Sequence, residues 1–419
     1  MFYKFITQRP LLTFLIIYIT SLILNRLNLL DMGIYSEFSE RTWLVLFVAI
    51  FVPTLGFTIS SFLFINKRHQ TKENYILNGK VSLYKLKVFY CFAFLISLIS
   101  FLLNIYYVYT TFGVLALENA SETYQGLASI SEDRIPGAGS IKQISYSLPI
   151  LLAFCQILAT QSECSQKTIG FFNKVVFVTI ALNSISSLIV SSRFLVIYPI
   201  VLYFFTYNSL SFIVINKSDQ KKNKNLLSLR RLYPYIIITL IGVSIMTISS
   251  VRSEGGYKIK FDSNSNFDNP IFQTFENLYA YNVAGFDVIN ERMQLSERHS
   301  NIYIPECYLR PVIPGYVRMF GEGNQDCSNR FNLNGHTSLT YLTPFPIDNI
   351  YVTSFSLLIF GLIWGYSYRN YKTNIVACII FCFMTVGMIF SAFTNVVLRD
   401  YVFVGIAFLY PAIFILKNN

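Results

Sequence analysis

The chain has 419 residues, of which 53% are hydrophobic and 17% aromatic but only 13% charged, and its formal net charge is +11. That balance excludes a string of soluble domains and reads as one integral membrane domain with an inserted polar segment. The distribution of the positive charge argues against nucleic acid as its partner, because the basic residues gather in alternate connections between apolar stretches, as topogenic charges do, with Lys217 to Arg231 the one candidate basic patch.

In chain order, the apolar stretches fall near residues 10 to 25, 43 to 65, 88 to 109, 144 to 160, 171 to 190, 194 to 215, 232 to 251, 350 to 366, 375 to 395 and 401 to 416. Each approaches the ~20 residues that a bilayer-spanning helix needs, so the expected architecture is an all-α polytopic membrane protein with about ten transmembrane helices. A short basic region precedes the first stretch with no small-residue cleavage site after it, and Leu11 to Leu24 is expected to be a retained helix.

Lys67, Arg68, Lys72, Lys80, Lys85 and Lys87 follow the second stretch, and Lys217, Lys221, Lys222, Lys224, Arg230 and Arg231 follow the sixth. With ten spans these clusters share one side, together with Lys4, Arg9, Lys167, Lys174, Arg369, Lys372 and Lys417. The chain's remaining basic residues fall on the other side among most of its acids, so both termini are expected in the cytoplasm.

The exported connection from Thr110 to Gln143 is broken by Ile135-Pro-Gly-Ala-Gly-Ser140. Ser191-Ser192-Arg193 separates the fifth and sixth stretches and is expected to place Arg193 at a tight hairpin apex. Pro53, Pro149, Pro199 and Pro411 lie in or near spans, where neighbouring helices can satisfy the freed carbonyls. Three domains follow: residues 1 to 251 with helices one to seven, a large exported loop from 252 to 349, and residues 350 to 419 with helices eight to ten.

Inside that loop, Asp262 to Pro270 is polar and irregular. Phe272, Phe275, Tyr279, Val283, Phe286 and Ile289 then recur at three- or four-residue spacing, with Glu276, Asp287 and Glu291 elsewhere around the helix. This predicts an amphipathic helix that either lies on the outer membrane surface or across a cavity mouth, or packs against the loop's own core. Pro305 to Arg318 is punctuated by proline and displays Arg310 and Arg318 from a loop. Of the seven cysteines, only Cys307 and Cys327 share the exported loop, as a disulfide or as two free thiols.

No Walker loop, GxSxG elbow, HExxH or dinucleotide fingerprint occurs. What remains is a set of guanidinium groups at membrane boundaries, chemistry suited to phosphate or pyrophosphate. Arg193, Arg252, Arg310 and Arg318 can clamp a lipid-linked diphosphate. The competing reading has Arg193 and Arg252 snorkelling to the interface and Arg310 and Arg318 paired with Glu306 and Glu322. His336, in Asn334-Gly-His-Thr-Ser-Leu-Thr-Tyr341, is either a general base for an attacking hydroxyl or a surface or packing residue. Asp348, Glu254, Glu276 and Asp287 are alternative bases.

Three segments carry a family resemblance. Ser191-Ser-Arg-Phe-Leu195 is similar to a small-residue-plus-Arg turn opening a span, and Ser249-Ser-Val-Arg252 to an arginine at the mouth of a large loop. His336 through Asp348, leading into Ser356 to Gly361 and Gly365, resembles a polar His/Asn-Thr element before a glycine-containing late helix. Together they resemble the Wzy-type O-antigen polymerases, or oligosaccharide repeat unit polymerases, which are related in architecture to the O-antigen ligases. The approach to the late helix departs from the family's acidic-aromatic-Gly pattern, with Pro346-Ile-Asp-Asn349 in its place.

The resemblance implies a GT-C-like architecture in the bacterial inner membrane and glycosyl transfer on the periplasmic face between undecaprenyl-diphosphate-linked oligosaccharides. It gives Arg193, Arg252, Arg310 and Arg318 the diphosphate and His336 the base role. No cofactor or metal is implied, since the lipid-linked donor is already activated. Implied partners are membrane lipid and a chain-length regulator protein. The ligase of the same architecture is the first alternative. A polysaccharide flippase is disfavoured by the long exported loop, and a membrane acyltransferase by the position of His69, the only early histidine, in a basic loop.

Overall fold

The computed structural model describes residues 6, 8–28, 37–63, 81–112, 138–162, 164–189, 193–215, 279, 283–294, 342, 345, 347, 349–392 and 400–417. The described residues contain helices and turns and no strand. In chain order the helices are α1 (Pro10–Leu27), α2 (Glu40–Leu63), α3 (Leu83–Phe112), α4 (Ala138–Gln161), α5 (Gln166–Ile189), α6 (Arg193–Ile215), α7 (283–294), α8 (Ile350–Asn370), α9 (Ile375–Ile389) and α10 (Asp400–Lys417). Among the described residues six helices are long and apolar enough to cross a membrane, namely α1 to α5 and α8. The chain is thus a polytopic, helical membrane protein. The apolar stretch 232 to 251 lies outside the described residues.

The helix ends follow from local chemistry. Pro10 opens α1 where its missing N–H costs nothing, and Asn28 closes it in the left-handed region at φ 42°, donating its N–H to the Asn25 carbonyl. Asn349 and Asn374 cap α8 and α9 by accepting from Val352 and Ala377 N–H groups, both at 3.2 Å. At 15 residues α9 is shorter than the expected 375 to 395 span and reaches only about 22 Å.

Two compact units are present. One comprises Met1–Gln70 with Lys258–Phe403, and the other Thr71–Tyr257 with Val404–Asn419. In the first, α2 and α8 pack backbone to backbone. A Cβ on Gly56 would stand 2.6 Å from the Leu358 carbonyl oxygen, and one on Gly361 or Gly365 would collide with the carbonyl oxygen of Pro53 or Phe57. Small residues let helices approach closely where lipid gives no hydrophobic drive for their association. The pairing of Pro53 with Gly361 and of Phe57 with Gly365 advances in the same sense on both helices, so α2 and α8 are parallel.

Trp364 of α8 is fully buried between Phe14 of α1 and Phe57 of α2, and its indole N–H donates to Thr385 of α9 at 3.1 Å. The Tyr368 hydroxyl donates to the Gln8 carbonyl at 2.8 Å. The end of α8 therefore meets the start of α1, and these two helices are antiparallel.

In the second unit α4 packs against α3, α5 and α6 and is buried almost all round from Ser145 to Ala159. Its polar contacts set the register. The Tyr90 hydroxyl donates to Gln156 and the Gln156 amide to Asn173, both at 2.6 Å, tying α3, α4 and α5 together. Pro149 has no N–H to offer the Ser145 carbonyl four residues earlier. Asn183 of α5 supplies the missing donor at 3.0 Å, so a neighbouring helix satisfies the proline-freed carbonyl as expected from sequence.

Asn183→Leu is accordingly expected to destabilise this unit by about 1 kcal/mol, within the range for a lost interhelical hydrogen bond. Adding Pro149→Ala should recover part of the loss by returning a local donor to Ser145. Unfolding midpoints in mixed micelles check this, and strictly additive effects of the two changes would contradict it.

Candidate functional site

Three elements meet at one end of the first unit: the last turn of α1, the first turn of α2, and α7. The sequence of α7, Val283-Ala-Gly-Phe-Asp-Val-Ile-Asn-Glu-Arg-Met-Gln294, is apolar on nearly every side of Asp287. Val283, Ala284, Phe286, Val288, Ile289 and Met293 are all fully buried. Phe286 meets Tyr18 of α1 edge to face at 5.2 Å.

Of the two arrangements expected for this stretch, its described residues favour the packed one, with α1 and α2 as partners beside residues of the loop itself. Residues 283–294 pack on α1 and α2, and Asp287 is only 1% exposed. The physical reason is a set of partners that periodicity does not register. One Asp287 oxygen accepts from the Arg26 guanidinium at 3.1 Å and the other from the Asn25 amide. Asn25 also donates to the Val283 carbonyl at 3.0 Å, while its own carbonyl accepts from Arg26 Nε at 2.8 Å and again from the guanidinium tip. The Arg26 guanidinium carbon lies 3.3 Å from the centroid of the Phe38 ring, which itself meets Trp43 edge on.

A second clasp joins α7 to α2. The Asn290 carbonyl oxygen accepts from the Ser39 N–H at 3.0 Å and the Thr42 hydroxyl at 2.7 Å, and its amide donates to the Glu37 carbonyl at 2.9 Å. Ser39 Oγ accepts from the Thr42 N–H at 3.2 Å, which caps the start of α2. The Tyr279 hydroxyl donates to the Leu24 carbonyl at 2.6 Å, satisfying one of the orphan acceptors in the last turn of α1.

A carboxylate carried out of water demands such an arrangement, since an unpaired buried charge is prohibitively costly. Removing one partner of a buried pair typically costs about 3–5 kcal/mol, because the other charge is left uncompensated. The Arg26 side chain is 20% exposed, so part of that loss is recovered by solvent. Among the described residues, Asp287 is held as an ion-paired acceptor of Arg26 and Asn25.

The core beneath α7 continues into the approach to α8. Leu342, Phe345 and Ile347 are buried with Phe286, Val288, Ile289 and Met293, and Phe345 meets Phe360 of α8 edge to face at 6.1 Å. These three residues, which precede α8 in the chain, therefore share one core with α7.

Of the expected site residues, Arg193 is the first residue of α6, and 190–192 before it lie outside the described residues. Arg252, Arg310, Arg318 and His336 lie outside the described residues, as do Glu254, Glu276, Asp348, Cys307 and Cys327. Tyr279 is engaged with the α1 backbone. Sequence reasoning missed Arg26, Asn25 and Asn290 as partners of α7. The available signal was Asp287 standing in an apolar window, with an Asn-Arg pair at the end of the first span.

No family model matches the chain, and no curated protein or solved structure matches it.

Proposed function

We propose that the chain is a membrane glycosyltransferase that joins lipid-diphosphate-linked oligosaccharide repeat units on the exported face of the bacterial inner membrane. The observation that carries this reading is the seating of α7. The described part of the long polar segment, 283–294, packs on α1 and α2 and shares a core with Leu342, Phe345 and Ile347 ahead of α8. A polar segment anchored in this way suits chemistry at a membrane boundary better than the short connections of a transporter.

Topology supports the sidedness. Parallel α2 and α8 require an odd number of crossings between them, and α3 to α6 supply four candidate helices. A further crossing by the apolar stretch 232 to 251 completes the ten-span arrangement. The α7 end of the first unit is then opposite the N-terminus, and the basic clusters assign the N-terminus to the cytoplasm.

In this reading a sugar hydroxyl of the incoming unit attacks the anomeric carbon of the lipid-linked donor. The bond from that carbon to the phosphate oxygen breaks, and the lipid diphosphate departs with the electron pair. His336 takes the hydroxyl proton. Arg193, Arg252, Arg310 and Arg318 offset the charge that builds on the departing diphosphate. No nucleotide or metal enters the atom balance.

The test is reconstitution of the purified chain in lipid with undecaprenyl-diphosphate-linked repeat units alone. A ladder of products differing by one repeat is expected. Transfer occurring only when a lipid A core acceptor is added would identify a ligase instead, and movement of units across the bilayer without bond formation would identify a flippase.

A further inference from the structure

We infer that α3, α4 and α5 together bind an internal water between Ser97 of α3 and Asn183 of α5, level with Pro149 of α4. The inference stands apart from the reaction proposed above, since it concerns the second unit alone and needs no substrate.

Paired contacts fix which residues share a level. Tyr90 stacks on Phe172 at 4.2 Å and the Asn104 amide donates to the Ser186 carbonyl at 3.2 Å, so α3 and α5 run parallel with a constant offset of 82 positions. That offset sets Thr179 beside Ser97, with Asn183 one turn further on. On α4, which runs the other way, Gln156 meets Tyr90 and Ser145 Oγ lies 3.2 Å from Ser100 Oγ, which brings Pro149 to the level of Ser97. The three helices pack pairwise around this layer.

Within the layer the polar atoms are matched unevenly. Asn183 gives its amide N–H to the Ser145 carbonyl at 3.0 Å, but its side-chain oxygen is buried with no partner among the described residues. Ser97 is fully buried, and its hydroxyl has no partner among them either. Thr179 donates to the Val175 carbonyl at 2.7 Å, which leaves its oxygen able to accept. The pairs nearby are self-sufficient, Ser100 with Ser145 and Asn104 with Ser186. A layer that only joined the helices would pair Ser97 and Asn183 in the same way.

An acceptor and a hydroxyl left without partners carry their full desolvation cost where bulk water does not reach. One helical turn is about 5.4 Å, close to the span of a molecule making two hydrogen bonds of about 2.8 Å each. Water matches the pattern of donors and acceptors. Its protons go to Asn183 Oδ1 and Thr179 Oγ1 and its oxygen accepts from Ser97, and about three such bonds are usual for a buried water. A cation suits the layer less well, because α3, α4 and α5 contain no acidic residue to balance it.

The experiment is a double-mutant cycle on the full chain in mixed micelles, with Ser97→Ala, Asn183→Leu and the two together. Ser97→Ala is expected to move the unfolding equilibrium of the wild type at least threefold toward the unfolded state. In Asn183→Leu, where the shared water is already lost, the same change should have no effect or stabilise. A neutral or stabilising Ser97→Ala in the wild type, or effects that multiply independently, would overturn the inference. Repeating the cycle with choline chloride in place of sodium chloride separates water from a cation. The coupling should persist, and its loss would overturn water as the occupant.

An experimental map of the wild-type chain gives a readout that needs no variant. Density within about 3.2 Å of both Ser97 Oγ and Asn183 Oδ1 is expected. A direct contact between these two side chains, or apolar side chains closed over the space between them, would overturn the inference.

Discussion

Gly361→Val is expected to leave almost no folded protein in the membrane, with abundance at least tenfold below wild type. A Cβ at this position would fall on the Pro53 carbonyl oxygen and within 3.0 Å of the Pro53 Cα and the Phe57 nitrogen. All three are backbone atoms of α2, so no rotamer change relieves the contact and the two helices must separate. Overpacking at ordinary sites costs about 1–3 kcal/mol, and each 1.4 kcal/mol is about a tenfold change in an equilibrium. Separating α2 from α8 would also loosen Phe57 from Trp364, which meet at 4.8 Å in the centre of this unit.

Gly170→Ala is the matched control. A Cβ on Gly170 of α5 meets nothing within 4 Å, and alanine in a helix is favoured over glycine by about 0.5–1 kcal/mol. This variant should be as abundant as wild type or slightly more so. Membrane fractions quantified through a terminal tag compare the two. Equal abundance of Gly361→Val and Gly170→Ala would contradict the close parallel packing of α2 and α8.

His336→Ala is expected to lower kcat in the reconstituted assay by about 10²–10⁴-fold, the usual contribution of a general base. Arg252→Ala should cost about 10²–10³-fold, as for one donor to a developing anion. The two should differ in pH dependence. Loss of the imidazole should flatten the acidic limb of the rate profile, whereas loss of the guanidinium, which stays charged across the accessible range, should leave the limb in place. A His336→Ala protein that is as active as wild type per molecule would remove His336 from the chemistry and return attention to Asp348, Glu254 and Glu276.

The spans were legible because long apolar runs are a local property. The stretch at 43 to 65 became Glu40–Leu63, and those at 171 to 190 and 194 to 215 became Gln166–Ile189 and Arg193–Ile215. What sits across those spans was not legible. Gly361 and Gly365 carry the small-xxx-small spacing that marks a close helix contact, yet nothing near them in sequence points to Pro53 or Phe57 some 300 positions away.

The same holds for Asp287. Periodicity assigned it to the wet face of α7, since a carboxylate is costly to bury without a partner. Its partner, Arg26, is 261 positions distant, at the end of the first span, and nothing near it in sequence points to α7. Asn25 bridges the two, and its one trace in the sequence is its place beside Arg26 at the end of the first span. The assignment of His336 as a base came from imidazole chemistry and resemblance, whereas the packing of α7 against α1, α2 and the residues before α8 came from the structure.

The most direct test of the central claim is the lipopolysaccharide banding pattern of a strain deleted for this gene and complemented with wild type, Arg252→Ala or His336→Ala at matched membrane abundance. The account predicts a lipid A core bearing a single repeat unit in the deletion and in both variants, with the ladder restored by wild type. A deletion strain that still makes the full ladder, or one that accumulates long lipid-linked polymer with none attached to lipid A core, would contradict it.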